Sequence, residues 1–456
     1  MGYPPRPEPF IGNKIFCLSA VSNDLVWHLC AVYAGGLLGS SGHLCSQFWN
    51  SAKKIREARV DELGFYAERG MAGMVKFNRR AASALVTLLM AAPVLTIGVV
   101  GQAQEGDRVT AIAAPTMPLP NEAVSQGVTK FSFIAYGDTR GRRDGVAIQY
   151  EHSLIVDSML AEINSLRYTD YAVRFILQSG DAVAHGQNPQ EWNMSFVPVI
   201  NRLTTQGGVP YFLAPGNHDV SPATTADAPE RHSPLKNYFD AVSALIPPDG
   251  SPHRLSGYPT YSFAYGNTFV LAFDANIVGD EKQFQWVKSQ LEGLDHKRYV
   301  NIIVFCHQAP FSSGPHGGPK MEGQTVGLRD RYMPLFRATH VRAVFSGHEH
   351  LFEHWVEHYT DASGVHRMDL VVSGGGGAPI YAYTGESNLE GYLKANEASK
   401  VKLDHLVKPG VERGSNPYHY LIVRVDGERL NMEVVGVDWG TGFQPYRSNK
   451  VSLEDQ

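Results

Sequence analysis

Cysteine is scarce and badly spread for a disulfide scaffold. Of four in 456 residues, Cys17, Cys30 and Cys45 crowd the start and Cys306 lies alone beyond them. A framework of bridges is excluded, and Cys306, inside the apolar run NIIVFCH, reads as a buried, inert thiol. An excess of one charge is lacking too: the formal net charge is −5 and Lys and Arg are scattered, so no nucleic-acid-binding surface is evident. There is no fixed-period repeat and no low-complexity tract. A composition of 43% hydrophobic and 19% charged residues excludes a disordered or fibrous chain. No Gly-x-Ser-x-Gly elbow is present, and the GGGG run at 374–377 lacks the Lys-Ser/Thr of a P-loop.

One long apolar run is present, in an unexpected place. Residues 74–104, MVKFNRRAASALVTLLMAAPVLTIGVVGQAQ, set Lys76, Arg79 and Arg80 before an apolar stretch that ends in small residues. That is the order of a secretory signal peptide. Its internal position leaves two readings open. Translation starts at Met71 or Met74 and residues 1–73 are a spurious upstream segment, or 74–103 is a membrane anchor behind a short cytoplasmic extension. Both place the rest of the chain in the periplasm or outside the cell, with membrane contact only through such an anchor. Residues 104–128, rich in Pro and Ala, read as a linker. Residues 129–440 are expected to form the functional domain, and 441–456 a C-terminal tail.

From residue 130 short apolar runs recur: FSFIAY (131–136), YAVRFILQS (171–179), VPYFLAP (209–215), TFVLAFD (268–274), NIIVFCH (301–307) and VRAVFSG (341–347). Amphipathic stretches at 151–166 and 281–294 lie between some of them, which predicts an α/β layered fold. Later runs, MDLVVSG (368–374), YHYLIVRV (418–425) and LNMEVVGV (430–437), follow one another without helices and predict an antiparallel portion.

The ends of these runs carry the chemistry. In order they finish in Gly137-Asp138, Gly180-Asp181, Gly216-Asn217-His218-Asp219, His307 and Gly347-His348-Glu349-His350. Ligands gather at the carboxyl ends of strands in α/β sheets, so distant residues can meet there. A lone Gly-Asp is most simply a turn. His348 and His350, two apart on an extended backbone, would face one cavity.

The ordered set Asp, Gly-Asp, Gly-Asn-His-Asp, His, Gly-His-x-His resembles the calcineurin-like metallophosphoesterases over about residues 130–440. CHQAPFSSGPHGGPKMEG (306–323) and SGGGGAPIY (373–381) look closest to the purple acid phosphatase branch. The resemblance implies a four-layer α/β/β/α sandwich with two mixed β-sheets and a site for two metal ions, Fe, Zn or Mn. It implies that Asp181 bridges both ions, that Asp138 and His350 hold the first, and that Asn217, His307 and His348 hold the second. His218 would lie close to the phosphate, as a hydrogen-bond donor or as the acid that protonates the leaving group; Asp219 would orient it or stabilise the turn; Arg140 would bind the phosphate or pair a nearby carboxylate, and His316 would bind the phosphate. The activity implied is hydrolysis of small-molecule phosphate mono- or diesters by metal-activated water.

The first motif departs from the family. Where many members have Asp-x-His this chain has Asp138-Thr139-Arg140, and where purple acid phosphatases place a Tyr three residues after the second motif's Asp it has Ala184. Water, substrate or another side chain, His152 and His185 among them, must then complete the first site. A non-catalytic phosphate- or ligand-binding protein with a degenerate first metal site is the rival reading.

Overall fold

The computed structural model describes residues 14–22, 25–33, 108–141, 148–437 and 445–452. The signal-like segment 74–103 lies outside the described residues. Strands β1 (Lys14–Ser22) and β2 (Leu25–Tyr33) pair antiparallel in a two-stranded sheet of their own.

In the larger unit the apolar runs become strands buried on both faces, as their unbroken hydrophobicity requires. They are β3 (Lys130–Tyr136), β4 (Val173–Gln178), β5 (Tyr211–Leu213), β6 (Tyr261–Tyr265), β7 (Thr268–Ala272), β8 (Asn301–Phe305) and β9 (Ala343–Ser346). Then come β10 (Phe352–Asp361), β11 (Gly364–Ser373), β12 (Lys402–Val407), β13 (Tyr418–Asp426), β14 (Arg429–Val437) and β15 (Pro445–Ser452). One sheet has the order β15-β14-β13-β3-β4-β5 and the other β12-β10-β11-β9-β8-β7-β6. Both are mixed. β3, β4 and β5 run parallel while β13, β14 and β15 pair antiparallel. In the second sheet β7, β8, β9 and β11 are parallel, flanked by antiparallel β6, β10 and β12.

The inner faces meet through aromatic rings. Phe133 of β3 meets Phe345 of β9 edge-on at 5.7 Å, and Phe212 of β5 stacks on Phe263 of β6 at 3.8 Å. Each such ring, once buried, contributes about 1.5–3 kcal/mol. Helix Tyr150–Leu166 covers the outer face of the first sheet, where Ser158 Oγ lies 3.0 Å from the Tyr420 hydroxyl on β13. Helix Glu281–Glu292 covers the second, burying Val287 and Leu291 among Leu271, Val304 and Val344. Asp280 caps it by accepting the Gln283 N–H at 2.8 Å. The result is the four-layer sandwich.

Residues 108–128 are not a free tether. Val109 and Ile112 are buried in the core, and the Ile112 N–H donates to the Ala241 carbonyl at 2.8 Å. Proline and small residues keep this stretch irregular up to the single helical turn Glu122–Ser125, yet its few apolar side chains still find the edge of the core. Residues 445–452, expected within a tail, pair with β14. Among the described residues no helix is long and apolar enough to cross a membrane.

Candidate metal centre at the strand ends

Because β3, β4 and β5 are parallel, and β8 and β9 are parallel, their loaded ends fall together in each sheet. Three of the residues there, Asp138 (φ 62°), Asp181 (φ 56°) and His348 (φ 69°), have left-handed backbones. Such positions cost on the order of 1–3 kcal/mol each and cluster where function requires them. Backbone bonds hold them: Asp138 N–H donates to Gly180 O and Thr139 N–H to Asp181 O, both at 2.9 Å, while Ala378 N–H reaches Asp138 O at 2.8 Å. The last bond comes from the residue just after the glycine run, and Gly376 N–H, within the run, donates to Gly137 O at 2.8 Å. A Cβ on Gly376 would lie 2.2 Å from that carbonyl, so the run is a close-packed latch over the first motif.

His348 and His350 do not reach one spot through strand alternation. The left-handed turn at His348 sends them to opposite sides of the centre. His348 joins His307, with Nδ1 to Nε2 at 3.1 Å, and His350 joins Asp138, with Nε2 to Oδ1 at 3.4 Å.

On the His307 side four atoms converge. Around His307 Nε2 lie Asn217 Oδ1 at 2.9 Å, His348 Nδ1 at 3.1 Å and Asp181 Oδ1 at 3.3 Å. His307 Nδ1 donates to the Ser179 carbonyl at 2.9 Å and His348 Nε2 to Glu322 at 3.0 Å, so each ring turns its other nitrogen inward. Burial lowers the pKa of His307, keeping that ring neutral. The distances from His307 Nε2 to the other three atoms are close to the roughly 3.3 Å between ligands that bonds of about 2.0–2.1 Å give in a tetrahedral site. The donor set fits a cation.

The His350 side is different. Its donors are Asp138, His350 and the second oxygen of Asp181, and Arg140 lies among them. Arg140 Nε donates to Asp181 Oδ2 at 3.2 Å and Nη2 lies 3.5 Å from His350 Nε2. Both side chains of the Arg140–Asp181 pair are fully buried. Burial pushes Asp138 up to about 7. Burial also works to raise Asp181, but His307, His218 and Arg140 outweigh it and hold that carboxyl well below its usual range. Burial, with Arg140 beside it, lowers His350 to about 3.

Around this core His218 gives its backbone N–H to Asp181 Oδ1 at 3.0 Å and its Nδ1–H to the Ala184 carbonyl at 2.8 Å. Of the two roles open to Asp219, orienting His218 or stabilising the turn, the structure places it in the second. Its oxygens accept the N–H groups of Val183 (3.1 Å) and Gly216 (2.9 Å), so it shapes the turn, and burial followed by nearby Asp181 raises it to about 8. His316 stands 4.5 Å ring to ring from His348 and bonds Glu322 at 2.8 Å, which raises its pKa.

Three residues escaped the sequence reading. Glu322 bonds both His316 and His348. Glu349 is buried and anchors the loop by accepting the N–H groups of His316 (2.7 Å) and Gly317 (2.6 Å). Tyr381 stacks on His350 at 4.1 Å. All three lie inside stretches that the family resemblance marks, Glu322 in 306–323, Glu349 in the Gly-His-x-His motif and Tyr381 at the end of 373–381, but no spacing assigns them a role.

The two suggested substitutes lie elsewhere. His152 is buried between the Tyr136 hydroxyl (3.0 Å) and Gln149 (2.8 Å), and exposed His185 pairs with Glu191. A further group, His340, Asp361 and His366, is also remote. There each carboxylate oxygen already accepts from one imidazole at 2.8 Å.

A sandwich of two mixed sheets thus brings carboxylate, amide and imidazole donors together at its strand ends. Residues 155–352 match the model of the calcineurin-like phosphoesterase family, and the chain is similar to purple acid phosphatases. The chain is 25% identical to purple acid phosphatase 22 of Arabidopsis thaliana over 202 residues, 44% of this chain and 42% of that protein. It is 23% identical to the serine/threonine-protein phosphatase CPPED1 of Rattus norvegicus over 251 residues, 51% of this chain and 71% of that protein. The match thus spans less than half of the plant enzyme. The solved structure of purple acid phosphatase PPD1 from yellow lupin (Lupinus luteus) seeds aligns with a TM-score of 0.49 at 16% identity, covering 72% of this chain and 54% of that one.

Proposed function

We propose that the protein is an exported, metal-dependent hydrolase of small-molecule phosphate esters. The observation that carries this reading is the meeting of Asn217 Oδ1, His348 Nδ1 and Asp181 Oδ1 around His307 Nε2 at 2.9, 3.1 and 3.3 Å. A cation on this side would be held by those four residues. On the other side Asp138, Asp181 and His350 share their space with Arg140. Ions of this kind supply a Lewis acid that acidifies water for attack on phosphorus.

The remaining work falls to side chains. His218 is half-buried, and its Nδ1–H is committed to Ala184 O, so Nε2 is the atom left to serve the reaction. As an imidazolium it gives the Nε2 proton to the departing alkoxide. Arg140 Nη1 has no hydrogen-bond partner among the described residues and is available to a phosphoryl oxygen. His316, held by Glu322 beside His348, offers a second donor at the rim.

Hydrolysis of para-nitrophenyl phosphate and of bis-para-nitrophenyl phosphate by the purified protein tests the reading. Turnover should vanish on chelation and return with Zn²⁺, Mn²⁺ or iron. Phosphate binding without turnover under all three would favour the non-catalytic binder. Export rests on the 74–104 segment, and an exported form whose first residue, by mass spectrometry, lies near 104 would support it.

A further inference from the structure

The two sides of Asp181 are not equivalent. One oxygen, Oδ1, faces His307 Nε2 at 3.3 Å, in the cluster of lone pairs that fits a cation. The other, Oδ2, accepts the Nε–H of Arg140 at 3.2 Å. The neighbouring donor on that side, His350 Nε2, carries the ring's lone pair, because Nδ1 donates to the Pro379 carbonyl at 2.7 Å. Arg140 Nη2 stands 3.5 Å from that lone pair. One planar guanidinium therefore spans two of the three donors a first metal ion would need.

We infer that the centre takes one metal ion, and that Arg140 supplies the second positive charge in place of the other. The inference rests on the reading that Asp181, Asn217, His307 and His348 hold a cation. Arg140 cannot lose its charge, and its side chain is 1% exposed, so it is not a surface group free to move into solvent. A dication sharing Asp181 Oδ2 and His350 Nε2 with it would press two like charges together in a buried pocket, where such repulsion is poorly screened. The contrast with the His307 side decides the matter: there a carboxylate, an amide oxygen and two imidazoles meet, and here an arginine stands among the donors. Asp138 keeps its place through the His348 N–H, at 3.0 and 3.1 Å from its two oxygens, which needs no ion.

The test is metal stoichiometry, read without reference to activity. The full chain is equilibrated with excess Mn²⁺, desalted and analysed for metal by mass spectrometry and for spin coupling by electron paramagnetic resonance. The expected result is one ion per chain with the spectrum of an isolated Mn²⁺. Arg140→Lys, which keeps the charge, should stay at one. Arg140→His, which swaps the cation for a ligand, should rise to two and show a spin-coupled pair. Two coupled ions in the unaltered protein would overturn the inference while leaving the phosphoesterase reading intact; no bound ion would overturn both. Should the Arg140→His chain fail to fold, the count and spectrum of the unaltered protein decide alone.

Discussion

His348 donates its Nε2–H to Glu322 at 3.0 Å, and that bond fixes Nδ1 as the nitrogen facing His307. Glu322 is held ionised by hydrogen bonds from His316 and then His348, which keep its carboxyl well below the usual range. Carboxylates that orient a ligating imidazole in this way are worth about 10–100-fold in metal affinity. Glu322→Ala should weaken Zn²⁺ binding by that factor, measured by competition with a chromogenic chelator, and should let His316 titrate at a lower pH. Unchanged affinity would mean that His348 needs no such support.

His218 acts on the leaving group in the proposed reaction, so its removal should hurt most where the leaving group is poor. His218→Gln is expected to lower kcat by about 10²–10⁴ for an alkyl phosphate. For para-nitrophenyl phosphate, whose leaving group departs without a proton, the loss should be far smaller. Equal losses on both substrates would assign the ring to binding instead.

Gly216 passes so close to the second motif that a Cβ there would lie 2.2 Å from both the amide and Oδ1 of Asp181. Gly216→Ala must displace that carboxylate, and a shift of about 1 Å at such a site costs about 100-fold in rate. Gly127→Ala, where a Cβ meets nothing within 4 Å, is the matched control and should leave kcat/KM unchanged.

His419, on β13 against the glycine run, is pushed down to about 4 by burial. The folded state holds it neutral, whereas the unfolded chain protonates it near pH 6.5. Between roughly pH 6.5 and 4 the unfolded state thus binds more protons, and this ring's contribution to stability falls as the pH falls. Relative to His419→Gln, which does not titrate, the protein should lose about 1.4 kcal/mol per pH unit in that window. Urea denaturation of both at several pH values measures the difference, and a constant difference would place the ring in contact with water.

Most of the fold was legible because it is written in apolar runs. The six that alternate with helices, from FSFIAY to VRAVFSG, became β3, β4, β5, β7, β8 and β9, and their endings marked the centre. β10 was not legible. Its sequence, FEHWVEHYTD, carries too many polar groups to read as a buried strand, yet Glu353, His354 and Glu357 are all fully buried in it. Partners from elsewhere in the fold make this possible: Ser313 for Glu353, Asp369 for His354, and Arg337 for Glu357. Only tertiary structure reveals such partners. For the same reason the sequence named Arg140 as a departure from the family but could not say what stands opposite it.

The candidate donors hang from both halves of the sandwich. Asp138, Asp181 and Asn217 follow strands of one sheet, and His307, His348 and His350 follow strands of the other. An ion seated between them closes a clasp across the seam. Stripping it away would then do more than silence a reaction: heated alongside the loaded form, the chelated protein should come apart first, beginning at that rim.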